Sequence, residues 1–149
     1  MSVLELLKDD NEYYKGVGKN YLSNSNIGTL LNNPREFGMV QEDNKNFLFG
    51  RYFHQLILEP EKAKDVPYVD VKSRLTKAYK EYVAENNLDI ALLKTEKESA
   101  EYLVKTMTGN FDFYERIYDK GNEFEVPAIG EIEGAMWKGK ADIVGKDYL

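Results

Sequence analysis

Apolar and polar residues alternate with a helical period through most of the chain and with a period of two near its end. Ser23-Asn24-Ser25 supplies good N-cap residues, Ile27, Leu30 and Leu31 follow on one face, and Pro34 ends the run. A short helical turn around Arg35-Glu36-Phe37 and a polar loop from Gln41 to Asn46 come next. Phe47 to Glu59 is the most apolar helix, with Phe47, Phe49, Phe53, Leu56, Ile57 and Leu58 around most of its circumference. Such a helix is expected to be buried, and Pro60 to stop it. Val66, Tyr68 and Val71 predict an extended link. Leu75, Tyr79, Tyr82 and Val83 predict an amphipathic helix over roughly Lys72 to Asn86, and Leu88 to Leu93 a short extended piece. Thr95-Glu96-Lys97-Glu98 reads as a capping box opening a helix to about Met107, helped by a Glu101–Lys105 pair. Gly109 and Asn110 break it, and Phe111 to Tyr118 forms another short helix. Residues 1–20, with Gly16 and Gly18, read as an irregular arm.

The period changes after Gly121. Glu123 to Pro127 starts one strand, Glu131 to Trp137 a turn and a second, and Lys140 to Val144 a third. Gly145-Lys146-Asp147 signals a turn, with Tyr148-Leu149 opening a fourth strand. Helices first and strands afterwards predict an α/β chain in α+β order: N-terminal helices followed by a small, incomplete mixed or antiparallel sheet. Residues 21–149 then form one domain behind the arm.

Composition narrows the choice of function. The 149 residues, 42% of them hydrophobic, can fill one core. No cysteine is present, which excludes a disulfide scaffold and a thiolate zinc site and fits a reducing compartment. No apolar run approaches the roughly 20 residues of a membrane span, and no signal peptide leads the chain, so a cytoplasmic protein away from membranes is expected. The net charge of −6 argues against a protein held to nucleic acid by charge alone. A basic strip does run from Lys72 through Arg74 and Lys77 to Lys80, and its plain reading is a solvated helix face.

Two residues invite chemistry. His54 is the only histidine, on the apolar helix, one turn after Gly50. A glycine there costs about 1 kcal/mol, so something is expected to approach the backbone, either a ligand or a tightly packed helix. His54 itself is either a core residue making one hydrogen bond or a ligand. Asp142 is a poor strand former between Ala141 and Ile143. It reads as a strand-end residue or as a ligand for a hard cation.

Leu22-Ser23-Asn24-Ser25, Asn33-Pro34, Gly50-Arg51-Tyr52-Phe53-His54 with Leu58-Glu59-Pro60, and Lys140-Ala141-Asp142 together resemble the catalytic domain of the exonuclease VIII (RecE-type) and phage exonuclease family. That family belongs to the PD-(D/E)xK nuclease superfamily. The resemblance implies a restriction-endonuclease-like core and a metal-dependent exonuclease of phage or prophage origin that processes DNA for recombination. It implies His54 and Asp142 as catalytic ligands of Mg²⁺ or Mn²⁺, with Glu123 or Glu125 as a further outer carboxylate. Double-stranded DNA ends are the implied partner, with a single-strand annealing recombinase and a homo-oligomer beside them. Ser23, Ser25, Arg51, Lys72 and Arg74 are the candidate DNA contacts. The family's Asp/Glu-x-Lys strand should follow Asp142 by about ten residues, and Leu149 comes first. Asp147 does not replace it, since no lysine stands two residues on. Little or no nuclease activity is therefore expected of these 149 residues alone. A non-catalytic module gripping DNA or a partner on the same scaffold is the alternative.

Overall fold

A computed structural model of the chain describes residues 2–39 and 43–148. Its internal contacts divide it into two compact units, Gln41–Tyr118 and Met1–Val40 together with Asp119–Leu149. Gln41 and Glu42 of the expected loop, and Leu149, lie outside the described residues.

In the Gln41–Tyr118 unit, α4 spans Lys45–Leu58. It starts ahead of the apolar pattern because Asn44 Oδ1 accepts from the amides of Asn46 at 2.9 Å and Phe47 at 3.1 Å. Leu48, Tyr52, Ile57 and Leu58 are buried, whereas Phe47 is half exposed, so the helix buries one side rather than its whole circumference. Pro60 ends it and opens α5, Pro60–Ala63, where a missing N–H costs nothing. The expected extended pieces are real: β1 (Tyr68–Val69) and β2 (Leu92–Leu93) pair in parallel.

Between them α6 covers Lys77–Glu85, not Lys72 onward, because the Thr76 hydroxyl caps it by accepting from the Tyr79 amide at 3.3 Å. Next, α7 runs Lys94–Thr108. Its cap forms at Leu93, whose amide donates to Glu96 at 2.9 Å, two residues before the expected box. Glu101 pairs back to Lys97 rather than forward to Lys105. Finally α8, Phe111–Ile117, is capped by Asn110. The core is Leu48, Tyr52, Ala63, Leu92 and Ala100, with Val69, Tyr79, Ala91 and Leu93 forming a second cluster. The Tyr79 hydroxyl donates to the Ala91 carbonyl at 3.0 Å and accepts from its amide at 2.9 Å, which satisfies both buried groups.

In the other unit, the stretch read as an irregular arm is helical: α1 (Val3–Leu6), α2 (Asp10–Tyr14) and a 3₁₀ turn at Val17–Asn20. Helices of four or five residues are too short to display a 3.6-residue period. Leu7 and Tyr13 are nonetheless buried. Gly18 is required here, since a Cβ would sit 2.0 Å from the Tyr13 carbonyl oxygen. As expected, α3 follows Ser23 and spans Asn24–Asn32, and Pro34–Glu36 forms a 3₁₀ turn.

The three expected strands are two. A single antiparallel hairpin joins β3 (Glu123–Ile132) to β4 (Ala135–Val144). Glu133 (φ 51°) and Gly134 (φ 75°) make its two-residue turn, both in the left-handed region such turns demand. Gly139 does not interrupt β4; it pairs with Ala128. Leu22 adds one bridge at Trp137. Tyr148 opens no further strand: its carbonyl accepts from the Gly145 amide at 2.9 Å, which turns the chain back. The mixed helix-and-strand architecture stands. Among the described residues no helix is long and apolar enough to cross a membrane.

Candidate functional site

The turn at Glu133-Gly134 sets the register, and the register sets which side chains share a face of the hairpin. Glu125, Lys138, Lys140 and Asp142 fall on one face. Glu125 stands opposite Asp142, between the Phe124–Ile143 and Val126–Ala141 pairs. Carboxylate oxygens of the two lie within 4.8 Å of each other. Glu125 holds φ at 51°, a conformation that costs a non-glycine residue on the order of 1–3 kcal/mol and persists only where its surroundings enforce it.

Two carboxylates this close repel unless a positive charge joins them. Part of that charge is Lys140, whose ammonium lies 2.8 Å from Asp10 Oδ1 and 3.7 Å from Glu125 Oε2, on a side chain only 9% exposed. Burial works against the charged form of Lys140. The hydrogen bond and charge of Asp10, with Glu125, outweigh it and hold the amine above its ordinary range. Lys138 donates to the Tyr13 carbonyl and sits 4.2 Å from the centre of that ring. Its burial, then the neighbouring Lys140 charge, push it below the ordinary lysine value. Carboxylate oxygens in this arrangement are the donor set that Mg²⁺ or Mn²⁺ prefers, so the residues present fit such an ion.

On α4, His54 is exposed. A Cβ at Gly50 would meet nothing within 4 Å, so tight helix packing is not what that glycine serves. The rotation of α4 is fixed within its unit: the Tyr52 hydroxyl donates to Glu101 Oε1 on α7 at 2.9 Å, and Lys97 pairs with the same carboxylate. Neighbouring Arg51 makes two hydrogen bonds to Asp43, at 2.7 and 3.2 Å.

The remaining candidate DNA contacts fare unevenly. Asn26 Oδ1 accepts from both the amide and the hydroxyl of Ser23 at 2.8 Å, and Ser23 and Ser25 share a hydrogen bond of 2.9 Å, so both serines serve the start of α3. Lys72 is exposed. Arg74 is turned inward, forked onto Glu96 at 2.6 and 2.8 Å with Ala91 O at 3.3 Å. The strip Lys72–Lys80 is therefore not one solvated helix face. Sequence reasoning left Glu123 and Glu125 as equals; the two-residue turn, visible as Glu-Gly, is the signal that places Glu125 opposite Asp142. Asp10, 130 positions from Lys140, gave no such signal.

Helices leading into a long antiparallel hairpin that presents paired carboxylates are compatible with a PD-(D/E)xK-type domain, and the family match assigns the chain to that class. The chain belongs to the family of PDDEXK-like domains of unknown function (DUF3799), which matches residues 30–148. The fold is also similar to the crystal structure of a protein from Eubacterium rectale described as a candidate exonuclease, with a TM-score of 0.57 and 20% identity over 93% of this chain. The chain spans 50% of that structure's length. Comparison with curated proteins gives no match. The expectation of a PD-(D/E)xK nuclease relative therefore holds, and domains of this class generally use divalent metals.

Proposed function

We propose that this domain serves metal-dependent phosphodiester hydrolysis in DNA, of the exonuclease type, with His54, Asp142 and Glu125 as ligands of one Mg²⁺ or Mn²⁺. The observation that carries the reading is the Glu125–Asp142 pair, carboxylates within 4.8 Å on adjacent strands beside a strained backbone. The exposed imidazole of His54, in the Gly50–His54 block that resembles the exonuclease family, supplies the nitrogen donor. A bound divalent ion would stabilise charge on the phosphate and acidify an attacking water. The chain's own part is to hold two carboxylates at fixed separation on a hairpin whose register cannot slip without reversing every side chain. Tyr52 and Glu101 hold the helix that bears His54.

The test is a Mn²⁺ titration of the full chain followed by electron paramagnetic resonance. His54→Ala, Asp142→Ala and Glu125→Gln should each weaken binding at least tenfold without loss of helical circular dichroism. Wild-type affinity in all three would overturn the reading. The other class, a DNA-gripping module without catalysis, requires duplex affinity that survives those three changes and falls on charge reversal at Lys72 or Lys77. Arg74 speaks against it, because its guanidinium is spent on Glu96.

A further inference from the structure

Lys140 lies beside Glu125 of the carboxylate pair, and it has two acidic neighbours at unequal distances. Asp10 holds it at hydrogen-bonding distance, 2.8 Å, while Glu125 stands at 3.7 Å, beyond a hydrogen bond. Asp10 is the first residue of α2, ahead of the residues that the family matches. Its helix is anchored independently: Asp9 caps it through the Glu12 amide at 2.9 Å, and Tyr13 is buried with its carbonyl and ring both against Lys138. The aspartate is thus carried on a fixed support.

Electrostatics gives this arrangement a consequence. An ammonium seated on Glu125 would neutralise the carboxylate that a divalent ion needs and would repel the ion besides. An ammonium drawn aside by a second carboxylate does less of both. We propose that Asp10 is a positioning residue for the metal-binding pair: by holding the Lys140 ammonium to itself, it keeps Lys140 from acting as a built-in competitor for Glu125. This rests on the metal-binding reading above and deepens it, since it assigns to the N-terminal helices a part in setting cation affinity.

The experiment is a double-mutant cycle on the full chain, read by Mn²⁺ affinity and by urea unfolding. Asp10→Asn should lower Mn²⁺ affinity roughly five- to tenfold, because Lys140 then turns to Glu125. Lys140→Met should raise affinity while lowering the urea midpoint, since the Asp10 pair is lost; a merely structural lysine would move both downward. In the Lys140→Met background, Asp10→Asn should change affinity less than twofold. Equal losses from Asp10→Asn in both backgrounds would mean that Asp10 acts directly through space, and would overturn the proposal. So would unchanged affinity in Asp10→Asn alone. A wild-type chain that takes up no Mn²⁺ removes the metal reading and this inference together, whereas binding without the coupling removes only the inference.

Discussion

In the Gln41–Tyr118 unit the charged side chains lie at the edges of an apolar centre: Arg74 on Glu96 and Lys97 on Glu101, around Leu92, Tyr52 and Ala100. The hairpin of the other unit distributes them differently. Its charged face holds Lys140, at 9% exposure, and the Tyr13–Lys138 contact, while the opposite face is apolar and partly open, with Ile132 57% exposed and Ala128, Gly130 and Gly139 beside it. The first arrangement is what stability asks for. The second spends stability, in a buried ammonium and a left-handed glutamate, to hold acidic oxygens close together. Where a fold departs from the more stable solution, the departure singles out a candidate site.

The largest test of this contrast compares truncations in the two units. Leu92 is fully buried in the helical core, and Leu92→Ala should cost about 2–5 kcal/mol. Ile132→Ala on the open face should cost less than about 0.5 kcal/mol. Urea denaturation of both variants measures the difference. A comparable loss at Ile132 would mean that the hairpin's apolar face is as important to stability as the core.

Next in size is the Arg74–Glu96 fork, where both side chains are 24% exposed. Arg74→Met should cost about 1–3 kcal/mol, because it leaves a partly buried carboxylate without its main partner. The pH dependence follows from Glu96. Burial raises its carboxyl, but Arg74, the Leu93 amide and the surrounding positive charge outweigh that and hold it below the ordinary 4.5. A depressed folded-state value stabilises the fold fully above 4.5 and is lost as the pH falls through it. Glu96→Gln should therefore flatten the acid limb of stability as the pH falls below about 4.5, and leave the slope near neutral pH unchanged. An acid limb identical to wild type would show that the fork contributes nothing.

Much of this architecture was legible in residue order, and the exceptions have physical causes. Helices α3 and α8 declare themselves through Ser23 and Asn110, and the end of α4 through Pro60, because caps and breakers act locally; the start of α4 at Asn44 lies inside the stretch expected to be a loop. Thr95 misled, since its spacing to Glu98 fits a cap that Leu93 and Glu96 form instead through packing against Arg74. Gly139 stands between the second and third expected strands; nine paired residues on β3, Ala128 opposite it among them, carry β4 through as one strand. Of the candidate site, His54 and Asp142 rest on the resemblance of their sequence blocks to the exonuclease family, and their role as ligands is the proposal made above. Glu125 needed the turn register. Asp10 and Lys140 needed the tertiary fold, since no local rule connects residues 130 positions apart.

The smallest expected effect is the most diagnostic, because it separates the strain at Glu125 from ordinary strand propensity. Glycine inside a strand usually costs about 0.5–1 kcal/mol, and Glu123→Gly, two residues earlier on β3, should show that loss. At Glu125 the left-handed backbone is worth about 1–2 kcal/mol of relief to a glycine, which offsets the lost side chain and its contact with Lys140. Glu125→Gly should therefore leave stability unchanged or raise it by up to about 1 kcal/mol, while Mn²⁺ affinity falls. Stability and metal affinity moving in opposite directions is the signature of a backbone held under strain for the sake of its carboxylate. If Glu125→Gly instead loses as much stability as Glu123→Gly, the glutamate sits there without strain, and the comparison between a stability-built unit and a site-built hairpin fails at its most specific point.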